Sequence, residues 1–184
     1  MTATAAPFGL RPVRHLSGGE IRTQGFMNGV ADGSTAVFYM GQPLKWSSGY
    51  LVAASAGDTN IAGVFAGCQY WDTASSRFHA VQFSATYPGL TTSKDVLIHM
   101  HTDPNIIFQI QGSTAVAITD RGRYADFTGS GGNAITGDSA VALGTPGNGV
   151  ANLLILDRFE IPENDWGTGY PIVEVVFAEH LLNR

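Results

Sequence analysis

The chain has 184 residues, a net charge of −5 and only 14% charged residues: enough length for one domain with a full core, and a surface composed largely of small polar residues and backbone. Its ten Lys and Arg are scattered rather than striped, which argues against a nucleic-acid partner, and the single cysteine, Cys68, rules out an internal disulfide framework or a cysteine-based zinc cluster. No run approaches about eighteen unbroken apolar residues and no basic stretch leads into an apolar one at the start, so neither a membrane partner nor a secretory signal is expected, and synthesis takes place in a cytoplasm.

In chain order, residues 1–19 read as an extended arm. Pro7 and Pro12 fix φ, lack a donor N–H and push their predecessors out of the helical region, while Gly9, Gly18 and Gly19 act as joints. Phe8, Leu10, Val13 and Leu16 beside Arg11 and Arg14 are too apolar for a tail left in solvent. The segment is expected to lie on its own domain or to cross onto another subunit.

Residues 20–184 read as a single β domain. Strands are expected at Ile21–Met27, Ala36–Trp46, Ile61–Trp71, Phe78–Ala85, Asp95–His101, Ile106–Gln111, Ala115–Thr119, Val150–Phe159 and Ile172–His180. Turn signals such as Asn28-Gly29, Asp32-Gly33, Ser48-Gly49, Pro88-Gly89 and Asp103-Pro104 divide them. Helical periodicity is almost absent, so the fold class is all-β, an antiparallel barrel or sandwich. Pro43 suggests an edge strand or a bulge. Val96, Ile98 and Met100 alternate with Leu97, His99 and His101, whereas Leu153-Leu154-Ile155-Leu156 and Val175-Val176-Phe177-Ala178 are apolar on both faces, as a strand covered on two sides would be. The covering layer can come from the same chain or from a second copy. Residues 128–148 form a Gly/Ser-rich loop, either solvated or ordered on a partner.

Few residues suggest chemistry. His99 and His101, two apart on a strand, could present both imidazoles to one metal with Asp103 adding an oxygen, as in cupin-like enzymes. No glutamate follows within the next four residues, and no distant histidine is at hand to complete a ligand set beyond His15, His79 and His180. Asp157, Glu160, Glu163, Asp165, Glu174 and Glu179 crowd the last thirty residues and could contain a hydrolytic carboxylate pair, but they also suit a wet sheet face. Trp46, Tyr50, Tyr70, Trp71 and Tyr87 could make a sugar-stacking platform or simply core. No nucleophile elbow, P-loop, zincin or dinucleotide motif is present, so no catalytic residue and no cofactor are expected.

Phe8-Gly9-Leu10-Arg11-Pro12-Val13, Gly57-Asp58 with Ile61-Ala62-Gly63-Val64, Asp103-Pro104 with Ile107-Phe108-Gln109-Ile110-Gln111, and Arg158-Phe159 through Pro162-Glu163-Asn164 to Val175-Val176-Phe177-Ala178-Glu179-His180 occur in that order along nearly the whole chain. In this collinear set the chain resembles the capsid decoration, or cement, proteins of tailed bacteriophages; 69–93 and 124–146 depart most. The resemblance implies a β domain on the exterior of a phage capsid, a homotrimer or homodimer that binds the major capsid protein and bridges its subunits. On that reading the arm residues Phe8, Leu10, Arg11, Pro12, Val13 and Arg14 anchor the contact, and removing residues 1–19 leaves a folded domain that no longer coats particles. The alternatives are a carbohydrate- or receptor-binding virion module and, further off, a metal-dependent barrel enzyme at His99 and His101.

Overall fold

A computed structural model describes residues 4–27, 29–31, 34–72, 77–81, 83–84 and 96–183. In chain order the strands are β1 (Arg11–His15), β2 (Gln24–Met27), β3 (Val37–Phe38), β4 (Pro43–Ser47), β5 (Tyr50–Ala53), β6 (Ile61–Asp72), β7 (Arg77–Val81), β8 (Phe83–Ser84), β9 (Val96–His101), β10 (Ile106–Gln111), β11 (Tyr124–Ala125), β12 (Phe127–Thr128), β13 (Ala142–Leu143), β14 (Leu153–Arg158) and β15 (Ile172–Phe177). Short 3-10 turns occupy Ile118–Asp120 and Leu181–Asn183. The class is all-β, and the described strands close no barrel.

Two antiparallel sheets make the body. The first has the order β1-β10-β15-β14-β11. The second runs β2-β9-β6-β4-β5, with β7 also on β6. The ribbons β12–β13 and β3–β8 complete the set.

Two apolar cores follow from these sheets. Leu10, Ile106, Phe108, Ile110, Phe127, Leu143, Leu153, Ile155, Val175 and Phe177 belong to the first core, while Phe38, Leu44, Leu51, Phe65, Cys68, Ile98 and Met100 belong to the second. β6 serves both: Ile61 and Val64 face the first core, Ala62, Phe65, Cys68 and Tyr70 the second. Strict alternation could not place 62, 65 and 68 on one side. Register shifts against β4 and again between Phe65 and Gly67 insert the extra residues that re-aim them. β9 alternates as its sequence suggests, with Val96, Ile98 and Met100 buried.

Some elements differ from expectation for local reasons. The Ala36–Trp46 run breaks at Met40–Gln42, where Gly41 takes φ +80, and Pro43 then opens β4 as the first residue of an interior strand rather than an edge; the extra residue of the register shift against β6 is Ala62, on β6. Ser48 and Gly49, both at positive φ, close a two-residue hairpin into β5. Ala115–Thr119 is not a strand: Val116 is buried and the chain coils at Ile118–Asp120, with the Ala117 N–H donating to Asp120 Oδ2 at 2.8 Å. The 128–148 stretch is partly built into the body through β13 and the buried Ser139, Val141, Ala142 and Leu143. On β14 and β15 one face is fully buried, while Leu154, Leu156 and Val176 on the other are half-buried. Asn28, Asp32-Gly33, Ala85, Pro88-Gly89 and Asp95 lie outside the described residues.

Candidate functional site

The N-terminal segment is tied to the body along its length, and its sequence dictates how it docks. Gln111, at the end of β10, grips it with both ends of its amide: the Ala6 N–H donates to Oε1 at 2.7 Å and Nε2 donates to the Thr4 carbonyl at 3.2 Å. At Gly9 the chain turns with φ +75, and its N–H donates to the Val141 carbonyl, while the Leu10 N–H donates to the Gly41 carbonyl. A Cβ on Gly9 would stand 2.6 Å from the Gly41 carbonyl oxygen, and one on Gly41 would stand 2.9 Å from the Leu10 nitrogen, so glycine is required on both sides of this crossing. Leu10 then plugs the first core at 1% exposure, and Arg11 to His15 pair with β10 as an edge strand.

Edge position accommodates Pro12, and the register shift leaves Val13 as the extra residue of a bulge. Beyond it Arg14 Nη2 meets Glu174 Oε2 at 2.5 Å. His15 Nε2 donates to Asp103 Oδ2 at 2.9 Å while its Nδ1 accepts the Ser17 N–H. The Asn105 backbone N–H foremost, and the His15 imidazole after it, hold the Asp103 carboxyl below its usual range.

The expected contact residues therefore divide. Leu10 is consumed by the chain's own core, a correction to its role as an outward anchor, and Pro12 and Val13 are half-buried against the domain. The boundary expected at residue 19 falls in the linker between β1 and β2, so β1 belongs to the body's own sheet. Arg11 remains about half exposed, stacked 4.5 Å over the Phe8 ring and paired with Asp138 at 3.0 Å. Arg14 is likewise half exposed.

A shallow groove follows the segment through three adjoining cavities of about 240, 670 and 380 Å³. Pro7 and Ala140 are common to the first two, and Phe8, Arg11 and Asp138 to the last two. Beside it the turn at 133–136 is braced by Asn133 Oδ1, which accepts the Ile135 and Thr136 N–H groups, and Ile135 stands 95% exposed.

The other candidates are tied into the frame. His101 Nδ1 donates to the Arg22 carbonyl at 3.2 Å and its ring packs on Phe108; burial holds its imidazole below the ordinary value. Asp103 turns to His15, so it does not join His99 and His101, and among the described residues no three His, Cys, Asp or Glu side chains gather as metal ligands. Asp157 meets Arg121 at 2.5 Å, and Arg158 holds Glu160 and Asp165 at 3.0 and 2.8 Å. Burial raises the Asp157 carboxyl, but the Arg158 N–H and the Arg121 guanidinium outweigh it, leaving it lowered. Trp46 packs edge-on to Phe26 against the second core and Tyr70 is buried, so these rings form no outward platform with the exposed Tyr50. The Trp71 side chain and Tyr87 lie outside the described residues.

Two asparagines do much of the bracing. Buried Asn152 donates from Nδ2 to the Asp58 carbonyl at 2.7 Å and accepts the Gly57 N–H. Asn164 donates to the Phe159 and Ile172 carbonyls and accepts the Ile172 N–H, closing the 159–172 loop. Asn164 lies in the Pro162-Glu163-Asn164 stretch, while for Asn152 a lone Asn inside a turn-rich stretch is the sequence signal. Comparison with protein-family models, with curated proteins and with solved structures finds no match to this chain.

Proposed function

We propose that this chain is a structural virion protein that binds the exterior of a phage capsid as a homotrimer or homodimer and stabilises the shell by bridging copies of the major capsid protein. The observation that carries the reading is where the motifs of the resemblance fall. Gly9 makes the crossing with Gly41, Asp58 and Gly57 are held by Asn152, Asp103 ties β1 to the β9–β10 turn, Gln111 grips the N-terminus and Asn164 closes its loop. Such residues spend their polar groups on rigidity, the property required of a clamp that must resist outward pressure.

The task is mechanical. Packaged DNA pushes outward, and a protein spanning a subunit junction must lose its contacts before that junction opens. Each contact can be modest, on the order of 1,000 Å² buried, because many copies act on one lattice. The contact falls on the groove beside the N-terminal segment, with Phe8, Arg11 and Ile135 as anchors and Arg14 nearby, since aromatic and Arg residues dominate interface energies.

Electrophoresis of purified particles tests the placement: a band of about 19.5 kDa in many copies is expected, and its absence overturns the reading. Mixing undecorated heads with the double variant Phe8→Ala, Arg11→Glu tests the contact. Loss of binding with an unchanged melting transition is expected, and full binding would move the contact elsewhere.

A further inference from the structure

His180 is a buried titratable group that neither the groove nor the bracing network uses. It follows β15, is 2% exposed, lies 5.7 Å from the Phe177 ring centroid and bridges by its backbone to Ile61 of β6. Its Nδ1 accepts the Leu182 backbone N–H at 3.1 Å, which places the proton of the neutral ring on Nε2. Nε2 is buried without a hydrogen-bond partner, and the Ala62 backbone favours the charged ring. A second proton can enter only at Nδ1, where it would meet the Leu182 N–H, donor against donor.

The surroundings offer the charged ring little compensation. Asp103 faces it from the β9–β10 turn but is already bonded to His15 and to the Asn105 backbone. Glu179, the neighbour in sequence, reaches Asn152. Ile61, Ala62 and Phe177, from β6 and β15, carry no charge, and His101 lies at the far end of a series of rings running through Phe108 and Phe177.

We propose that His180 is an acid-operated latch: protonation at Nδ1 breaks its bond to Leu182 and releases the Leu181–Asn183 turn from β6. Burial, outweighing the pull of the Ala62 backbone and of Asp103, holds the imidazole below its ordinary value, so the latch is closed at neutral pH and opens on acidification. The proposal goes beyond the capsid reading and stands whether or not the protein coats a particle.

Amide hydrogen exchange on the full chain at about pH 7.5 and about pH 5 tests it, read as protection factors so that the intrinsic pH dependence cancels. Protection at Leu182 is expected to fall about tenfold for each pH unit below the ring's protonation point, while Val173–Phe177 keep theirs. In His180→Asn, whose Oδ1 replaces Nδ1 as an acceptor that does not titrate, the fall should vanish. Equal protection at both pH values, or an equal fall in His180→Asn, overturns the latch. Should that variant not fold, ring nitrogen shifts of the native protein decide: a ring that titrates with no change at Leu182 overturns it, and coincident titration supports it.

Discussion

The two cores differ in where the chain supplies them. Among the described residues, the buried members of the second run from Val30 to Met100, with Phe26 packed against them, so a contiguous stretch closes it. The first takes Leu10 from one end of the chain, Ile61 and Val64 from β6, and the rest from residues 106–177. Its ties span great sequence distances: Ala6 to Gln111, Arg11 to Asp138 and Arg14 to Glu174 join residues 105, 127 and 160 apart. Contacts of that span close long loops, so the first core joins the N-terminal segment to strands late in the chain. The difference teaches that the N-terminal segment is a structural member of one half of the protein, not an appendage of the whole, and a deletion of residues 1–19 removes Leu10 and β1 from that half.

The sharpest way to break this comparison is Leu10→Ala, which should cost about 2–5 kcal/mol in denaturant unfolding. Hydrogen exchange should quicken in β10, β14 and β15 well before β6 and β9 respond; equal quickening everywhere would mean the two cores melt as one. Asn152→Ala should cost about 1–3 kcal/mol by leaving the Asp58 carbonyl without its partner and the Gly57 N–H with only its bond to Asp126 Oδ1, and Gly9→Ala a comparable amount through its positive φ and the approach of Gly41. Both should register in thermal melts as losses in the first half. Arg14→Gln should cost about 1–2 kcal/mol, because the guanidinium is half exposed but the Glu174 carboxylate it leaves is buried; a larger loss would show that the ion pair, and not the β1–β10 ladder, seats the edge strand.

Acid should act on both halves with one sign. Lys45 and the Ser55 N–H overcome burial to lower Asp58, and Asp103 is lowered as well, so the unfolded chain binds more protons than the folded one across the carboxylate range. His101 and His180 are lowered by burial, which repeats the imbalance across the imidazole range. Stability should therefore be complete above the ordinary imidazole range, and fall as pH drops, first through that range and again through the ordinary carboxylate range. A melting temperature that rises on acidification would contradict these directions.

Much of the fold was legible from spacing. β10 coincides with its expected span because a run of apolar residues ends at turns on both sides, and the alternation of β9 is readable because only one of its faces meets the second core. β1 was not legible as a strand: prolines and arginines read as an arm, and only the edge position and the bulge at Val13 reconcile them with pairing. The two-residue strands β11, β12 and β13 are too short to show a period. At the candidate site, Phe8, Leu10 and Arg11 announce contact, but which of them face the chain's own body depends on a partner more than ninety residues away in β10, which local pattern cannot reveal.

The crossing of Gly9 and Gly41 has one further consequence. Elsewhere in a packed interior an enlarged residue can be rescued by trimming its neighbour, but here both members already lack a side chain and there is nothing left to shorten. The junction therefore admits no compensating pair of changes, and redesign of this surface has to route around it.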